Sequence, residues 1–307
     1  MAKLFPGFAG FDIAVAPEVV IHGIQAGTGP PLLLIHGFPQ THHIWHKITP
    51  TLVRSFTVIA LDLRGYGQSS KPPSSASEGH RPYSKSSMAS DCCSVMRSLG
   101  HRRFSVLAHD RGARVAHKLA VDYPDAVERL LLLDIAPTLC MFEQTDQVFA
   151  TAYWHWFFLI QPAPFPERLL TSQPALFQAR FFGAGCGGGG ERGFLDEGAV
   201  AEYMGMFEDE QGVHAMCEDY RAAATIDLVE ARRDRDAGRK IQCPVRVLWG
   251  RHGVIEKCFD CLGEWRAVSE GSVSGEAVES GHYIAEENPG AVLEHVGEFL
   301  GGGSSTE

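Results

Sequence analysis

The sequence has no long apolar run and no cluster of positive charge. No stretch reaches the roughly 18 uninterrupted apolar residues that a membrane-spanning helix needs, and the chain does not open with a basic segment followed by an apolar run. The 37 Asp and Glu residues outnumber the 27 Lys and Arg residues, which gives a formal net charge of −10. A field of this sign repels nucleic acid and acidic lipid surfaces. We therefore expect a cytoplasmic protein that binds neither nucleic acid nor membrane.

The sequence also offers little for a disulfide framework or a metal site. Eight cysteines without an export signal are typical of reduced thiols. Cys258 and Cys261 form a single C-x-x-C pair with no second pair, so packing is the favoured interpretation. His42, His43 and His46 are a candidate metal site, since His42 and His46 have helical spacing, but no third class of ligand is evident. We expect no metal and no cofactor.

Short apolar runs alternate with helix-like stretches along much of the chain. Continuous apolar runs are typical of strands buried on both faces of a parallel sheet, and their alternation with helices predicts an α/β fold. Asp12 to Ala16 and Val19 to Gln25, separated by Pro17, would form an antiparallel edge hairpin. The other predicted elements are strands at Leu32 to Ile35, Phe56 to Leu61, Phe104 to Leu107, Leu130 to Leu133 and Val245 to Trp249, with helices that include Ser84 to Leu99 and Arg111 to Tyr123.

The alternation stops after Asp134. Residues 139–240 are rich in aromatic residues and helical in pattern, which predicts an inserted helical cap between a first core part at 1–138 and a second at 241–300. A tract with six glycines in eight residues, Gly183 to Gly190, is too permissive for regular structure and predicts a loop within the cap. Residues 301–307 are expected to form a flexible tail.

A candidate nucleophile lies where the run ending at Leu107 meets the next helix. The segment Ala108-His109-Asp110-Arg111-Gly112 has the small-x-nucleophile-x-small form of a nucleophile elbow. An aspartate at its centre can attack carbon without prior deprotonation and forms an ester that a second step must hydrolyse. The alternative is that Asp110 only caps the following helix.

Two further segments support the catalytic interpretation. The turn His36-Gly37-Phe38-Pro39 follows a predicted strand, at the position where a hydrolase places a backbone N–H for an oxyanion. The N–H groups of Phe38 and of Arg111 are the candidates. His282, on a late loop after Ser280 and Gly281, is the candidate base, although an isolated loop histidine can be an ordinary surface residue.

The acid that would orient His282 has two candidates. Asp134 ends a predicted strand, and a carboxylate at the carboxyl end of a parallel strand lies beside the ligand crevice. Asp260 follows the strand that ends at Trp249 and competes for the same role.

Arg111 and Arg114 lie in the first turn of the predicted helix, where the helix dipole disfavours cations. A substrate carboxylate would explain them, because arginine can bind a carboxylate in bidentate fashion. The alternative is that they pair with surface acids. The predicted cap adds Tyr153-Trp154-His155-Trp156 and later Tyr220, whose N–H and O–H donors are suited to a departing halide, although aromatic clusters often serve only as core.

These segments together resemble the fluoroacetate dehalogenases, which are haloacetate dehalogenases of the α/β-hydrolase superfamily, and the resemblance extends over nearly the whole chain. The motifs that carry it are His36-Gly37-Phe38-Pro39, Asp62-Leu63-Arg64-Gly65-Tyr66-Gly67, His109-Asp110-Arg111-Gly112-Ala113-Arg114, Leu133-Asp134-Ile135-Ala136-Pro137, His155-Trp156 and Gly281-His282.

The resemblance implies an α/β-hydrolase fold with a mostly parallel eight-stranded sheet and a helical cap. It further implies that Asp110 is the nucleophile, His282 the base and Asp134 its partner, and that the protein is a homodimer. Arg111 and Arg114 would bind the substrate carboxylate, while His155, Trp156 and Tyr220 would receive the halide. Tyr220 matches only in its cap context, and the glycine-rich tract departs from the family pattern.

The expected function is hydrolytic dehalogenation of small 2-haloacids such as fluoroacetate, giving glycolate and halide through an aspartyl ester. The substrates are then a small haloacid and water. Epoxide hydrolysis is the main alternative, since it uses a similar triad and two cap tyrosines, for which Tyr153, Tyr203 and Tyr220 are candidates. A catalytically silent relative that only binds ligands is the third possibility.

Overall fold

The computed structural model describes residues 4–182 and 192–301. Its strands form one mixed sheet, as expected: β1 Ala9–Ala16, β2 Val19–Ala26, β3 Pro31–Ile35, β4 Thr57–Leu61, β5 Phe104–His109, β6 Val127–Leu133, β7 Val245–Gly250 and β8 Val273–Val278. The spatial order is β1-β2-β4-β3-β5-β6-β7-β8. β1 and β2 form the predicted antiparallel hairpin, β2 is antiparallel to β4, and the remaining neighbours are parallel.

The central strands are apolar throughout because both faces of the sheet are covered. In β3, Leu33 and Ile35 belong to the core on one face, whereas Leu32 and Leu34 belong to the core on the other. All four side chains are fully buried. Burial on both faces is what makes such a strand a continuous apolar run in the sequence.

Strand β8 was not located by the sequence analysis. Its residues alternate between partly buried and exposed, and it pairs only with β7 at the edge of the sheet. A half-exposed edge strand needs no apolar run. Gly275 fits β8 closely against β7, because a Cβ there would lie 1.8 Å from the Val247 carbonyl oxygen.

Helices cover both faces of the sheet. The helices outside the predicted cap are α1 Thr49–Leu52, α2 Lys85–Ser98, α3 Asp110–Asp122, α12 Val254–Cys258, α13 Cys261–Ala267, α14 Ile284–Glu287 and α15 Pro289–Phe299. The Ser84 side chain accepts a hydrogen bond from the Ser87 N–H and so caps α2, and Asn288 caps α15 in the same way. Within residues 4–182 and 192–301, no helix is long and apolar enough to cross a bilayer.

A helical segment separates β6 from β7. Its described part contains no strand and consists of α4 Thr138–Glu143, α5 Gln147–Ala152, α6 Trp154–Leu159, α7 Phe165–Ser172, α8 Pro174–Phe182, α9 Glu197–Glu208, α10 Glu210–Ala224 and α11 Ile226–Asp236. The glycine-rich tract lies outside the described residues, as do residues 302–307 of the expected tail. The division into core and cap at residues 138 and 241 stays a prediction.

Candidate active site

Asp110 lies at a sharp turn between β5 and α3. Its φ angle is +45°, in the left-handed region that non-glycine residues seldom occupy. Gly112 makes the turn possible, because a Cβ there would lie 2.2 Å from the His36 carbonyl oxygen. Gly37 is needed as well, since its Cβ would lie 2.7 Å from the Cβ of Asp110. This is the strand-to-helix geometry that a nucleophile elbow requires.

Asp110 is the first residue of α3 and His109 is the cap residue, so the interpretation of Asp110 as a simple helix cap is wrong. The Oδ2 atom of Asp110 accepts a hydrogen bond from the Phe38 N–H at 3.1 Å. Burial raises the pKa of Asp110, but the positive field of His282, Arg114 and Arg111 outweighs it, and the pKa lies below its ordinary value. The side chain is therefore a carboxylate at neutral pH, the form that a nucleophile needs.

His282 and Asp134 form a close pair beside Asp110. The Nδ1 of His282 lies 2.6 Å from Oδ2 of Asp134, whose Oδ1 accepts a hydrogen bond from the Gly250 N–H at 2.9 Å. Burial lowers the pKa of His282, but the hydrogen bond and charge of Asp134 outweigh it, so the pKa lies above its ordinary value. Asp260 instead caps α13 by accepting from the Gly263 N–H. Asp134 is the carboxylate that meets the histidine.

His109 supports the loop that carries His282, a contact that the sequence analysis missed. Its Nε2 lies 2.8 Å from the His282 carbonyl oxygen, and the two rings are 4.7 Å apart. Burial, followed by the positive field of His282, lowers the pKa of His109 to about 3. Neutral His109 therefore donates to the loop without adding a second positive charge. Its only sequence signal is its place directly before Asp110.

Arg111 is paired with a buried acid rather than a surface acid. Its Nε donates to Oδ2 of Asp219 at 2.9 Å, and its Nη2 donates to Oδ1 at 2.7 Å and to the Asp219 carbonyl oxygen at 2.6 Å. The bidentate edge that we expected to bind the substrate carboxylate is thus already occupied. The Nη1 atom is buried and has no hydrogen-bond partner in the described part of the chain.

Arg114 is buried without an ion pair among the described residues. Its Nη1 donates to the Thr138 hydroxyl at 2.7 Å and its Nη2 lies 3.1 Å from the Met141 sulfur, while Nε has no partner within residues 4–182 and 192–301. Burial, followed by the repulsion of Arg111, lowers the pKa of Arg114 below its ordinary value. An anion bound next to it would relieve this cost.

The expected halide donors lie against these arginines. The guanidinium of Arg111 lies 4.0 Å from the centre of the Tyr220 ring, and that of Arg114 lies 4.5 Å from the Trp156 ring. The ring of His155 is 5.9 Å from that of Tyr220. In the described structure, no protein group accepts a hydrogen bond from the Tyr220 hydroxyl or the Trp156 indole N–H. The structure therefore brings the three donors together and leaves two of them unsatisfied.

A cavity of about 250 Å³ opens over Asp110 and His282. Phe38, Tyr153 and His155 also line it. Arg111, Arg114, Trp156 and Tyr220 are not among its described lining residues. Tyr220 packs edge to face on Phe38, a lining residue of the cavity, with the ring centres 5.1 Å apart.

Arg114 also lines a separate cavity of about 240 Å³, which it shares with α11 residues such as Asp227 and Glu230. Asp110 and His282 do not line that cavity.

Two further buried residues belong to the site. Tyr153 lines the main cavity, and no described residue accepts a hydrogen bond from its hydroxyl group. Burial and the charges of Asp134 and Asp110 raise the pKa of Tyr153 well above its ordinary value, so the phenol keeps its proton. Asp219, the partner of Arg111, was missed by the sequence analysis. Its signal was an acidic residue directly before Tyr220.

The histidines considered as metal ligands make local hydrogen bonds. Nδ1 of His42 lies 2.8 Å from Oδ1 of Asp62, and Nδ1 of His46 lies 2.9 Å from the His43 carbonyl oxygen. No group of His, Cys, Asp or Glu side chains in the described ranges is arranged to hold a metal ion.

The chain is similar to known α/β hydrolases in sequence and in structure. A family model described as the alpha/beta hydrolase fold matches residues 30–289. Fluoroacetate dehalogenase from Burkholderia sp is 40% identical over 296 residues, covering 95% of this chain and 95% of that protein. Soluble epoxide hydrolase from Corynebacterium sp. (strain C12) is 31% identical, covering 91% of this chain and 93% of that protein. A crystal structure from Nostoc sp PCC 7120, provisionally described as an α/β hydrolase, is 47% identical with a TM-score of 0.90, covering 95% of this chain and 98% of that one.

Proposed function

Because the chain belongs to the α/β-hydrolase family, we propose that it hydrolyses the carbon–halogen bond of small 2-haloacids such as fluoroacetate. The observation that carries this proposal is the pair of buried arginines beside Asp110. Each keeps one nitrogen, Nη1 of Arg111 and Nε of Arg114, with no hydrogen-bond partner among the described residues. Buried donors without a partner are costly, and a carboxylate ligand would satisfy both.

In the first step, a carboxylate oxygen of Asp110 would attack the α-carbon of the haloacid. A carbon–oxygen bond forms as the carbon–halogen bond breaks, the halogen leaves with the bonding electrons, and the carbon inverts. Arg111 and Arg114 would hold the substrate carboxylate, which counters the unfavourable net charge of the protein. His155, Trp156 and Tyr220 would donate hydrogen bonds to the departing halide. The product of this step is an ester on Asp110.

In the second step, His282 would take a proton from water while the water oxygen attacks the carbonyl carbon of the Asp110 ester. The backbone N–H groups of Phe38 and Arg111 would stabilise the tetrahedral oxyanion. Collapse of that intermediate releases glycolate and restores the Asp110 carboxylate. Asp134 would stabilise the His282 imidazolium until its proton leaves to solvent.

Epoxide hydrolysis remains a second candidate because of one observation. Tyr153 and Tyr220 are both buried and keep their protons, and neither hydroxyl group has a hydrogen-bond acceptor in the described part of the chain. Two such phenols could donate to an epoxide oxygen. Tyr203 is not a candidate donor to an epoxide oxygen, because its hydroxyl group donates to Glu286 at 3.1 Å. The arginine donors favour the haloacid, since a neutral epoxide would leave them unsatisfied.

A product assay separates the two candidates. Halide release from fluoroacetate or chloroacetate supports dehalogenation, whereas diol formation from styrene oxide without halide release would overturn the proposal. Mass spectrometry of the His282→Ala variant after addition of chloroacetate should show a covalent adduct on Asp110, which the Asp110→Ala variant cannot form. The expected homodimer stays a prediction that analytical ultracentrifugation can test.

A further inference from the structure

Asp219 is a fully buried acid on α10, and its hydrogen-bond donors Tyr66, Lys85 and Arg111 all precede the predicted cap. Its carboxylate accepts the two hydrogen bonds from Nε and Nη2 of Arg111. It also accepts a hydrogen bond from the Tyr66 hydroxyl at 2.7 Å and one from the Lys85 ammonium group. Burial would raise the pKa of Asp219, but Arg111 and Lys85 hold it well below its ordinary value. The carboxylate is thus a fixed negative charge with every acceptor position in use.

This arrangement determines which part of Arg111 is available. A guanidinium group is a planar fork, so fixing Nε and Nη2 also fixes the direction of Nη1. Nη1 is the nitrogen of Arg111 that has no hydrogen-bond partner in the described structure. The central carbon of the same guanidinium group lies 4.0 Å from the ring centre of Tyr220, the residue that follows Asp219 in the chain. Asp219 therefore sets the position of a carboxylate donor and of the ring beneath it.

We propose that Asp219 is a positioning residue for substrate recognition, which holds one edge of Arg111 so that only Nη1 meets the substrate carboxylate. The carboxylate then bridges single nitrogens of two arginines, Nη1 of Arg111 and Nε of Arg114, instead of occupying the bidentate edge of one. This inference rests on the proposed haloacid substrate. It adds that recognition depends on an acid that does not itself touch the substrate.

The alternative is that Asp219 only fastens α10 to the core through Tyr66 and Lys85. The Asp219→Asn variant distinguishes the two, because it keeps the volume but leaves one acceptor oxygen for the donors of Arg111, Tyr66 and Lys85. A purely structural residue would change stability alone. A positioning residue would also change how a carboxylate binds.

Glu167→Gln provides a control in a second, largely buried carboxylate–arginine pair, in which α10 supplies the arginine. Glu167 of α7 accepts two hydrogen bonds from Arg221 of α10, from Nη1 at 2.6 Å and from Nη2 at 3.0 Å. This variant weakens a comparable pair without touching Arg111. Both variants are compared with the wild-type full-length protein for the dissociation constant of acetate, a carboxylate that cannot react, and for kcat and KM with chloroacetate.

We expect Asp219→Asn to raise the acetate dissociation constant and the chloroacetate KM about ten- to hundredfold, with a smaller change in kcat. Glu167→Gln should leave both binding constants near the wild-type values. Equal KM and acetate affinity in Asp219→Asn and wild type would overturn the role of Asp219 while leaving dehalogenation intact. A wild-type protein that releases no halide would overturn the proposed function instead.

A crystal structure of the wild-type protein with acetate keeps the inference testable if Asp219→Asn does not fold. Acetate should contact Nη1 of Arg111 and Nε of Arg114, with the Asp219 pair unbroken. Acetate on the Nε–Nη2 edge with Asp219 displaced, or acetate absent from both arginines, would refute the inference.

Discussion

His282 meets Asp134 through a 2.6 Å contact between Nδ1 and Oδ2, across 148 positions of sequence. The second oxygen of Asp134 accepts the Gly250 N–H from the end of the neighbouring strand. Asp134 itself is fully buried and has a φ of +49°. A carboxylate held at both oxygens keeps the Nδ1–H of the imidazole in place, which leaves Nε2 of His282 to act on water.

Replacing Asp134 with Asn should therefore impair the second half-reaction. The neutral amide cannot stabilise the imidazolium of His282, so we expect kcat to fall by about 10²- to 10⁴-fold, the usual range for loss of general-base assistance. The ester on Asp110 should then accumulate and be visible by mass spectrometry of the intact protein. Asp260→Asn is the control, because that side chain accepts an N–H at the start of α13 and should leave kcat unchanged. Equal losses in both variants would argue against this role for Asp134.

The raised pKa of His282 gives a pH dependence with a defined sign. The imidazole must be neutral to accept a proton from water, and its pKa lies above the ordinary 6.5. As the pH falls through that pKa, hydrolysis of the ester should slow, whereas its formation by the ionised Asp110 should continue. Rapid-quench measurements should show a growing burst of halide relative to the steady-state rate at lower pH. A burst that shrinks as the pH falls would contradict the assignment of His282 as the base.

Several parts of this structure could be predicted from local sequence because the cause is local. Strands β3 and β5 are buried on both faces, which forces the apolar runs that predicted them. The elbow was predictable because Gly112 must be small for the turn to form. The role of His282 could be predicted because the histidine of a hydrolase triad follows the nucleophile and the acid in the chain.

What could not be predicted depends on contacts between distant segments. The charge of Asp219 is explained by Arg111, 108 positions away, and by Lys85, 134 positions away, so its surroundings on α10 give no hint of the pairing. His109 contacts the carbonyl oxygen of His282, and a backbone acceptor leaves no mark on the sequence. Strand β8 is stabilised by pairing with β7 at an edge, which tolerates polar residues.

The buried carboxyl group of Glu286 should make the free energy of unfolding depend on pH. Its buried carboxyl group lies 2.6 Å from Nε2 of Gln40 and accepts from the Tyr203 hydroxyl, and burial raises its pKa from 4.5 to about 8. The folded protein thus keeps this proton over a pH range in which the unfolded chain loses it, so stability should fall as the pH rises from about 4.5 to about 8.

The Glu286→Gln variant should lack this dependence. Urea denaturation at about pH 5 and about pH 8 should show the variant gaining stability relative to wild type at the higher pH. The Gln40 oxygen, which has no partner among the described residues, could accept from the new amide if its own amide group turns over. Glu294→Gln, exposed on α15, is the control and should follow the wild type. Parallel pH profiles for Glu286→Gln and wild type would show that Glu286 is ionised in the folded protein.

The close approach of backbone at the elbow gives a stability prediction with an internal control. In Gly112→Ala, the new methyl group would lie 2.2 Å from the His36 carbonyl oxygen and 2.5 Å from that of Ile35, both of which are backbone atoms that cannot rotate away. The strand and helix must then separate, and we expect a loss of about 2 kcal/mol or more. Gly297→Ala in α15 meets nothing within 4 Å and should instead stabilise the protein by up to about 1 kcal/mol, because alanine favours a helix interior. Thermal and urea denaturation measure both changes. Because Asp110 lies two residues before Gly112, halide release should fall in Gly112→Ala even at temperatures where the variant is fully folded. A folded variant with wild-type turnover would mean that the elbow can relax without moving the nucleophile.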